Sequence, residues 1–237
     1  THTIRSGAGR NAQDGDTLIV DYVGMRSEDG AIFDESYSRG VPTDFVVGRG
    51  DVVRGWDDGL IATQAGALVK VDMPAELAYG DNPPPTAGDV GIEPGDALSF
   101  VVEVHAIIPP VTAADAPLEL QLDPSVDATD VTVTVLEEGD GAVVEPGDTA
   151  VVHLLLVRGD NQVVLFNTWA NSDPLQIIVR DGETLPGVIE ALDGARVGSM
   201  IAVAMPPADA FGEEGNPGLG LPAGTDLIAV IEIVGVY

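Results

Sequence analysis

The chain has 237 residues, 45% of them hydrophobic, and a formal charge of −29 from 39 acids against 10 bases. That length holds one large domain or two ordinary ones with separate cores, and the charge excludes nucleic-acid and anionic-lipid binding, because phosphate needs clustered cations. No run of eighteen apolar residues is present to span a membrane, and the absence of cysteine excludes disulfides, thiolate zinc sites and thiol nucleophiles.

The chain begins at Thr1 without a basic-then-apolar leader, which reads as a mature form or a trimmed segment. Lys70 is the only lysine. With the acidity and the lack of cysteine it points to a secreted or cell-envelope protein, a cytoplasmic one remaining open. The acids are scattered between apolar stretches and read as a solvated surface. No twelve-residue calcium loop occurs, and His2, His105 and His153 stand too far apart in sequence to suggest a metal site.

In chain order, residues 18–23 read as a strand. Glu28-Asp29-Gly30 reads as a hairpin turn, where Gly tolerates positive φ. Residues 45–47 form a short strand. Residues 56–62 fit a helix, with Trp56 and Leu60 four apart on one face. Residues 68–73 and 98–107 are strands, the second rich in β-branched side chains. Pro109-Pro110 closes this block, residues 113–117 read as exposed linker, and residues 118–122 alternate as a short strand would. Beyond them, Gly159-Asp160-Asn161 is a second hairpin turn and residues 188–192 a second short helix. Strands with one short helix per block predict an α+β class: an antiparallel twisted sheet wrapped around one helix, twice over.

The blocks are copies of each other. Gly15-Asp16-Thr17 recurs as Gly147-Asp148-Thr149, 132 positions on, and Ala78-Tyr79-Gly80 as Ala210-Phe211-Gly212 at the same offset. Val71-Asp72-Met73-Pro74 returns as Val203-Ala204-Met205-Pro206, and Gly50 and Gly55 return as Gly182 and Gly187. Leu98 and Glu103 match Leu227 and Glu232 at 129, so copy two has lost three residues from one loop. The expected division is a first domain at 1–109, a linker at 110–126 and a second domain at 127–237.

Glycines, prolines and aliphatic strand residues survive between the copies; aromatics do not. Seven of the eleven aromatic residues lie in copy one. Tyr22 gives way to Leu154, Trp56 to Val188, Tyr79 to Phe211 and Phe100 to Ala229, while Phe33 reads as retained in Phe166 and Asp34 as replaced by Asn167. Truncating a buried Phe or Trp to Ala costs about 3–5 kcal/mol unless the space is refilled. Either these aromatics line a concave site that copy two no longer uses, or copy two has repacked its core.

Copy one resembles the FKBP-type peptidyl-prolyl cis-trans isomerases. The residues that carry the resemblance are Val20-Asp21-Tyr22-Val23-Gly24, Ile32-Phe33-Asp34-Glu35-Ser36, Phe45-Val46-Val47-Gly48, Asp51 to Leu60 with its Arg54-Gly55-Trp56, Leu77-Ala78-Tyr79-Gly80, and Ile92-Glu93-Pro94-Gly95 to Phe100, in the family's order. The resemblance spans nearly all of residues 3–109. The short N-terminus suggests a first strand missing or supplied by the linker, Thr43 stands where many members carry an aromatic, and the loop from Asp81 to Gly91 contains Pro83-Pro84-Pro85.

The resemblance implies a fold-assisting isomerase with one working pocket. Trp56 would be its floor, Tyr22, Phe33, Val52, Val53 and Phe100 its walls, with Phe45 close by and Ile92 from a flap. The N–H of Val53 and the hydroxyl of Tyr79 would hold substrate carbonyls, and Asp34 would orient the pocket. No cofactor, metal or general base is implied; partners would be proline-containing peptides or unfolded segments, and macrolides. Copy two would be a degenerate, inactive member. Taken singly, Trp56 is an ordinary core residue, Tyr22 an ordinary strand residue and Asp34 a turn cap. A non-catalytic proline-peptide-binding chaperone module and a structural envelope protein are the other readings. Arg49-Gly50-Asp51 and Arg158-Gly159-Asp160 are chance tripeptides at turns, and the pairs Asp57-Asp58 and Glu213-Glu214 are expected to be solvated.

Overall fold

The computed structural model describes residues 1–84, 91–117 and 129–237. The alternating segment at 118–122 and most of the triple-proline loop lie outside them. The chain forms two compact units, Thr1–Pro110 and Val111–Tyr237.

In the first unit the strands are β1 (His2–Arg5), β2 (Ala8–Asn11), β3 (Thr17–Arg26), β4 (Ile32–Glu35), β5 (Thr43–Val46), β6 (Gln64–Ala65), β7 (Leu68–Met73) and β8 (Leu98–Ile108), with helix α1 (Arg54–Leu60) between β5 and β6. The main sheet runs β1-β7-β8-β3-β4, with β5 also on β3, and every pairing is antiparallel. The first strand is therefore neither missing nor borrowed from the linker: the chain's own start pairs with β7, His2 facing Lys70.

The second unit repeats this with β9 (Thr132–Glu137), β10 (Thr149–Arg158), β11 (Val164–Asn167), β12 (Leu175–Ile178), α2 (Pro186–Leu192), β13 (Met200–Met205) and β14 (Leu227–Val236). Its order β9-β13-β14-β10-β11, with β12 on β10, is the same path. The long central strands even break register at matching places, between Ile19 and Val20 in one and between Val151 and Val152 in the other. This is the expected α+β architecture in both copies.

Each sheet curls around its helix, and glycine sets the distance. A Cβ on Gly55 would stand 2.6 Å from Met73 Sδ, and one on Gly187 2.3 Å from Met205 Cγ. Only a residue without a side chain lets the helix lie this close to its sheet, which explains why this glycine recurs. Leu60 and Leu192 then fill the bottom of each core, both fully buried. The first hairpin turns on Gly30 at φ 71°, as expected; in the second the positive φ falls on Gln162, one residue past the predicted turn.

The outer faces of the two sheets differ. In the first unit that face is polar and carries Lys70–Asp72, Arg5–Glu103 and His105–Asp21 pairs. In the second it is apolar, with Leu155, Val157, Ala202, Ile228 and Val230 packed under Trp169 and Ala116. Consequently β10 is buried along both faces. Residues 113–115 are exposed as expected of a linker, but Ala116 is buried against this face, and the Val111 N–H donates to Ser172 Oγ at 3.0 Å.

Candidate functional site

The first unit gathers its aromatics on the concave side of the sheet. Trp56, in the first turn of α1, is met edge-on by Tyr22 at 5.1 Å and 83° and by Phe100 at 5.2 Å and 83°, with Phe45 tilted against it at 5.3 Å. Phe33 meets Phe100 edge-on at 5.6 Å. These are the favoured contacts of ring quadrupoles. Trp56 is 4% exposed and its Nε1 has no partner among the described residues. Phe33, Val52, Val53 and Tyr79 stay half-buried against this cluster, and Ile92 joins it. All ten residues singled out from the sequence therefore share one locality, Asp34 through its bond to Tyr22.

The cluster is possible because β3 narrows under it. Gly24 is the cross-strand partner of Phe100, and a Cβ there would lie 2.7 Å from Phe100 Cε1 and 2.8 Å from Phe33 Cζ.

A polar network borders the rings. The Tyr22 hydroxyl donates a short hydrogen bond to Asp34 Oδ2. Arg39 donates from Nη1 to Asp34 Oδ1 at 2.8 Å and from Nη2 to Tyr22 Oη at 3.0 Å, its guanidinium 5.6 Å from the Tyr22 ring centre. Burial, followed by the Asp34 bond, pushes the Tyr22 hydroxyl up to about 12. Burial alone would raise Asp34, but the bonds from Tyr22 and Arg39 together outweigh it and hold the carboxyl below its ordinary value. Burial and the charge of Asp34 raise Tyr79. Sequence reasoning missed Arg39; its signal was a cation five residues after Asp34 in a chain with ten bases.

The loop before α1 is fixed by a second residue that sequence reasoning misread. Asp57 is not solvated: it is 9% exposed and accepts from the Gly48 N–H at 2.8 Å and the Gly50 N–H at 3.0 Å. Only its neighbour Asp58 faces water, paired with Arg54. Val53 precedes the helix in extended conformation, and its N–H has no acceptor among the described residues.

The second unit corrects the comparison of the copies. Thr168 N–H bonds to Leu154 O as Ser36 N–H bonds to Tyr22 O, so the offset of 132 holds through this strand. Phe166 therefore corresponds to Asp34 and not to Phe33. It pairs with Leu156 as Asp34 pairs with Gly24, and it is exposed. Phe33 corresponds to Leu165 and Asp34 has no polar successor. The site has not closed, however. A cavity of about 730 Å³ remains, lined by Leu154, Leu156, Ile177, Leu185, Val188 and Phe211 among others. The positions that carry Tyr22, Val53, Trp56 and Tyr79 in copy one thus line a hollow in copy two with Leu154, Leu185, Val188 and Phe211.

Among the described residues no group of three His, Asp or Glu could hold a metal ion, and no helix is long and apolar enough to cross a membrane.

Comparison with known proteins matches the family model for FKBP-type peptidyl-prolyl cis-trans isomerase to residues 8–105 and again to 141–234. An FK506-binding protein of Streptomyces anulatus is 41% identical over 104 residues, covering 44% of this chain and 82% of that one. The peptidyl-prolyl cis-trans isomerase FKBP15-2 of Arabidopsis thaliana is 41% identical over 97 residues, 40% of this chain and 56% of that one. The three FKBP domains of wheat FKBP73 align along 100% of this chain and 93% of theirs, at 18% identity and a TM-score of 0.45. With its strand order, its aromatic cluster and two segments matching one model, the chain belongs to the FKBP-type peptidyl-prolyl cis-trans isomerase family, in a tandem form.

Proposed function

We propose that the aromatic cluster of the first unit is the seat of prolyl isomerisation, that the protein uses it to assist the folding of other chains, and that the second unit is inactive in this reaction. The observation that carries the reading is Trp56 ringed by Tyr22, Phe45 and Phe100.

Rotation about a prolyl amide crosses a barrier of about 18–20 kcal/mol. At the twisted transition state conjugation is lost and the carbonyl becomes a poorer hydrogen-bond acceptor. Water stabilises the planar ground state and so opposes rotation. A dry aromatic hollow removes that preference, and catalysis is the difference in binding between twisted and flat forms. Trp56 would take the pyrrolidine ring, while the N–H of Val53, which has no acceptor among the described residues, and the hydroxyl of Tyr79 would hold flanking carbonyls. Arg39 fixes Asp34 and Tyr22 in one orientation, so the wall does not reorganise during the step. The substrates on this reading are proline-containing segments of unfolded chains, and a macrolide would compete for the hollow, as the name of the Streptomyces relative suggests. The acidity, the single lysine and the lack of cysteine favour work in a secreted or envelope setting.

A protease-coupled assay on a prolyl peptide, with wild type and Trp56→Leu at matched concentration, tests the assignment. Acceleration by wild type and at least a tenfold loss in the variant are expected. No acceleration by folded wild type would leave a peptide-binding module in place of an enzyme.

A further inference from the structure

We propose that the cavity of the second unit is a binding site for a non-prolyl segment of an extended polypeptide, taking one bulky aliphatic side chain flanked by lysine or arginine.

The lining comes first. At about 730 Å³ the hollow has the size of a ligand pocket. Its walls are Leu154, Leu156, Ile177, Leu185 and Val188, with Phe211 the one aromatic among those described. A five-membered ring would not touch these walls on all sides, and a gap of about 0.5–1 Å already forfeits a quarter to a half of each dispersion contact. Flexible aliphatic walls suit a longer, branched side chain that can fill the space. The polar network beside Trp56 has no counterpart here, since Phe166 stands where Asp34 would be.

The main chain points to a peptide. Leu185 precedes α2 in the conformation of Val53, and its N–H has no acceptor among the described residues. A backbone carbonyl beside the inserted side chain would satisfy it.

Charge selects the flanks. Residues 129–237 hold seventeen Asp and Glu against three Arg and no Lys. Glu183 lines the mouth of the cavity and Asp181 is exposed beside it; Arg180 is the one cation on that turn. An anionic ligand is repelled by this field, whereas a cationic segment is drawn to it. Fatty acids and acidic lipids are accordingly excluded as occupants.

The test uses the full chain and a fluorescein-labelled peptide without proline, with a central leucine between lysines, followed by anisotropy. Saturable binding is expected. It should weaken at least tenfold when the leucine is replaced by alanine, when the lysines become glutamates, and in Val188→Trp, which fills the floor. Should Val188→Trp fail to fold, Leu154→Trp serves in its place, and a far-UV circular dichroism spectrum and urea transition matching those of wild type confirm that the second unit is folded. Glu183→Lys should weaken binding and flatten its dependence on salt. No binding, binding unaffected by a filled floor, or tighter binding of a central proline overturns the proposal. Because the readout is binding of a proline-free peptide, its failure is distinct from failure of the isomerase assignment.

Discussion

Phe100 stands in the space that a side chain at Gly24 would occupy, the two facing each other across β3 and β8. At the same pair in the second unit Leu156 faces Ala229. The bulk has crossed from one strand to its neighbour, so the wall persists without its ring. Exchanging only one partner in the first unit breaks the fit. Gly24→Leu should overpack the cluster at a cost of about 1–3 kcal/mol. Phe100→Ala should leave a void costing about 3–5 kcal/mol. The double variant should recover part of the sum, because contacting residues couple, while isomerase activity falls at least tenfold. Urea midpoints of the three variants decide it; additive losses would mean that the exchange is not compensatory.

Arg39 holds both the Asp34 carboxylate and the Tyr22 hydroxyl. Arg39→Ala removes interactions that lower both groups, so both should shift upward. Asp34 has a depressed value in the fold, hence it stays ionised on the acid side of its ordinary range. The acid limb of the activity profile should therefore move to higher pH in Arg39→Ala. Arg39→Lys, which keeps the charge without the planar fork, should restore the limb only in part. A limb identical in all three would remove Arg39 as a positioning residue.

The same network makes an alkaline prediction. Tyr22 is raised to about 12 in the fold against about 10 in an unfolded chain. A raised value contributes stability below the unfolded value that is lost as pH climbs through the folded one. Stability of the first unit should therefore decline between about pH 10 and about pH 12, and Tyr22→Phe should decline less over that window. Equal decline in both would assign the effect to other groups.

Much of this was legible in the chain because periodicity and burial agree. Residues 68–73 alternate, and β7 spans Leu68–Met73 with one face inward. The site was legible as a set because its members occur in order along one copy. What failed were inferences on single residues. Phe166 followed by Asn167 imitates Phe33 followed by Asp34, yet a slip of one position turns a strand residue to the opposite face, and only the hydrogen bonds fix the register. Asp57 and Asp58 are indistinguishable as letters; one caps a turn from inside while the other faces water. The covered outer face of the second sheet depends on Trp169, whose place no local pattern announces.

Asp57 leads to a prediction about binding. Its two bonds to the Gly48 and Gly50 N–H groups hold the loop that carries Val52 and Val53. Asp57→Ala leaves two donors without that acceptor and should cost about 1–3 kcal/mol. The loosened loop presents the Val53 N–H less well, so KM should rise more than kcat falls. Asp57→Asn, able to accept one of the bonds, should lie between. A pure loss of kcat with unchanged KM would place Asp57 elsewhere in the reaction.

The second unit carries a buried and a half-buried titratable group of opposite sign on neighbouring strands. His153 is fully buried, lies tilted against Trp169 at 5.3 Å and shares Nδ1 with Thr168, while its Nε2 has no partner among the described residues. Burial lowers its imidazole, although Asp173 pulls the other way. Its cross-strand partner Glu232 is raised, by burial first and then by the charges of Glu137 and Asp115, against a hydrogen bond from Trp169. An unfolded chain binds a proton at histidine near about pH 6.5, and the fold resists it, so His153 withdraws stability as pH falls below that point. Glu232 contributes most below its unfolded value and withdraws stability as pH rises through its folded one. As pH falls from neutrality the two groups act in opposite directions, and replacing His153 isolates its share. In a Trp56→Phe background, where Trp169 is the remaining tryptophan, its fluorescence reports unfolding of this unit alone. Between neutral pH and about pH 5 the urea midpoint should fall relative to that of His153→Phe, which preserves a ring against Trp169. An unchanged slope in His153→Phe would show that the buried imidazole is not what this unit responds to.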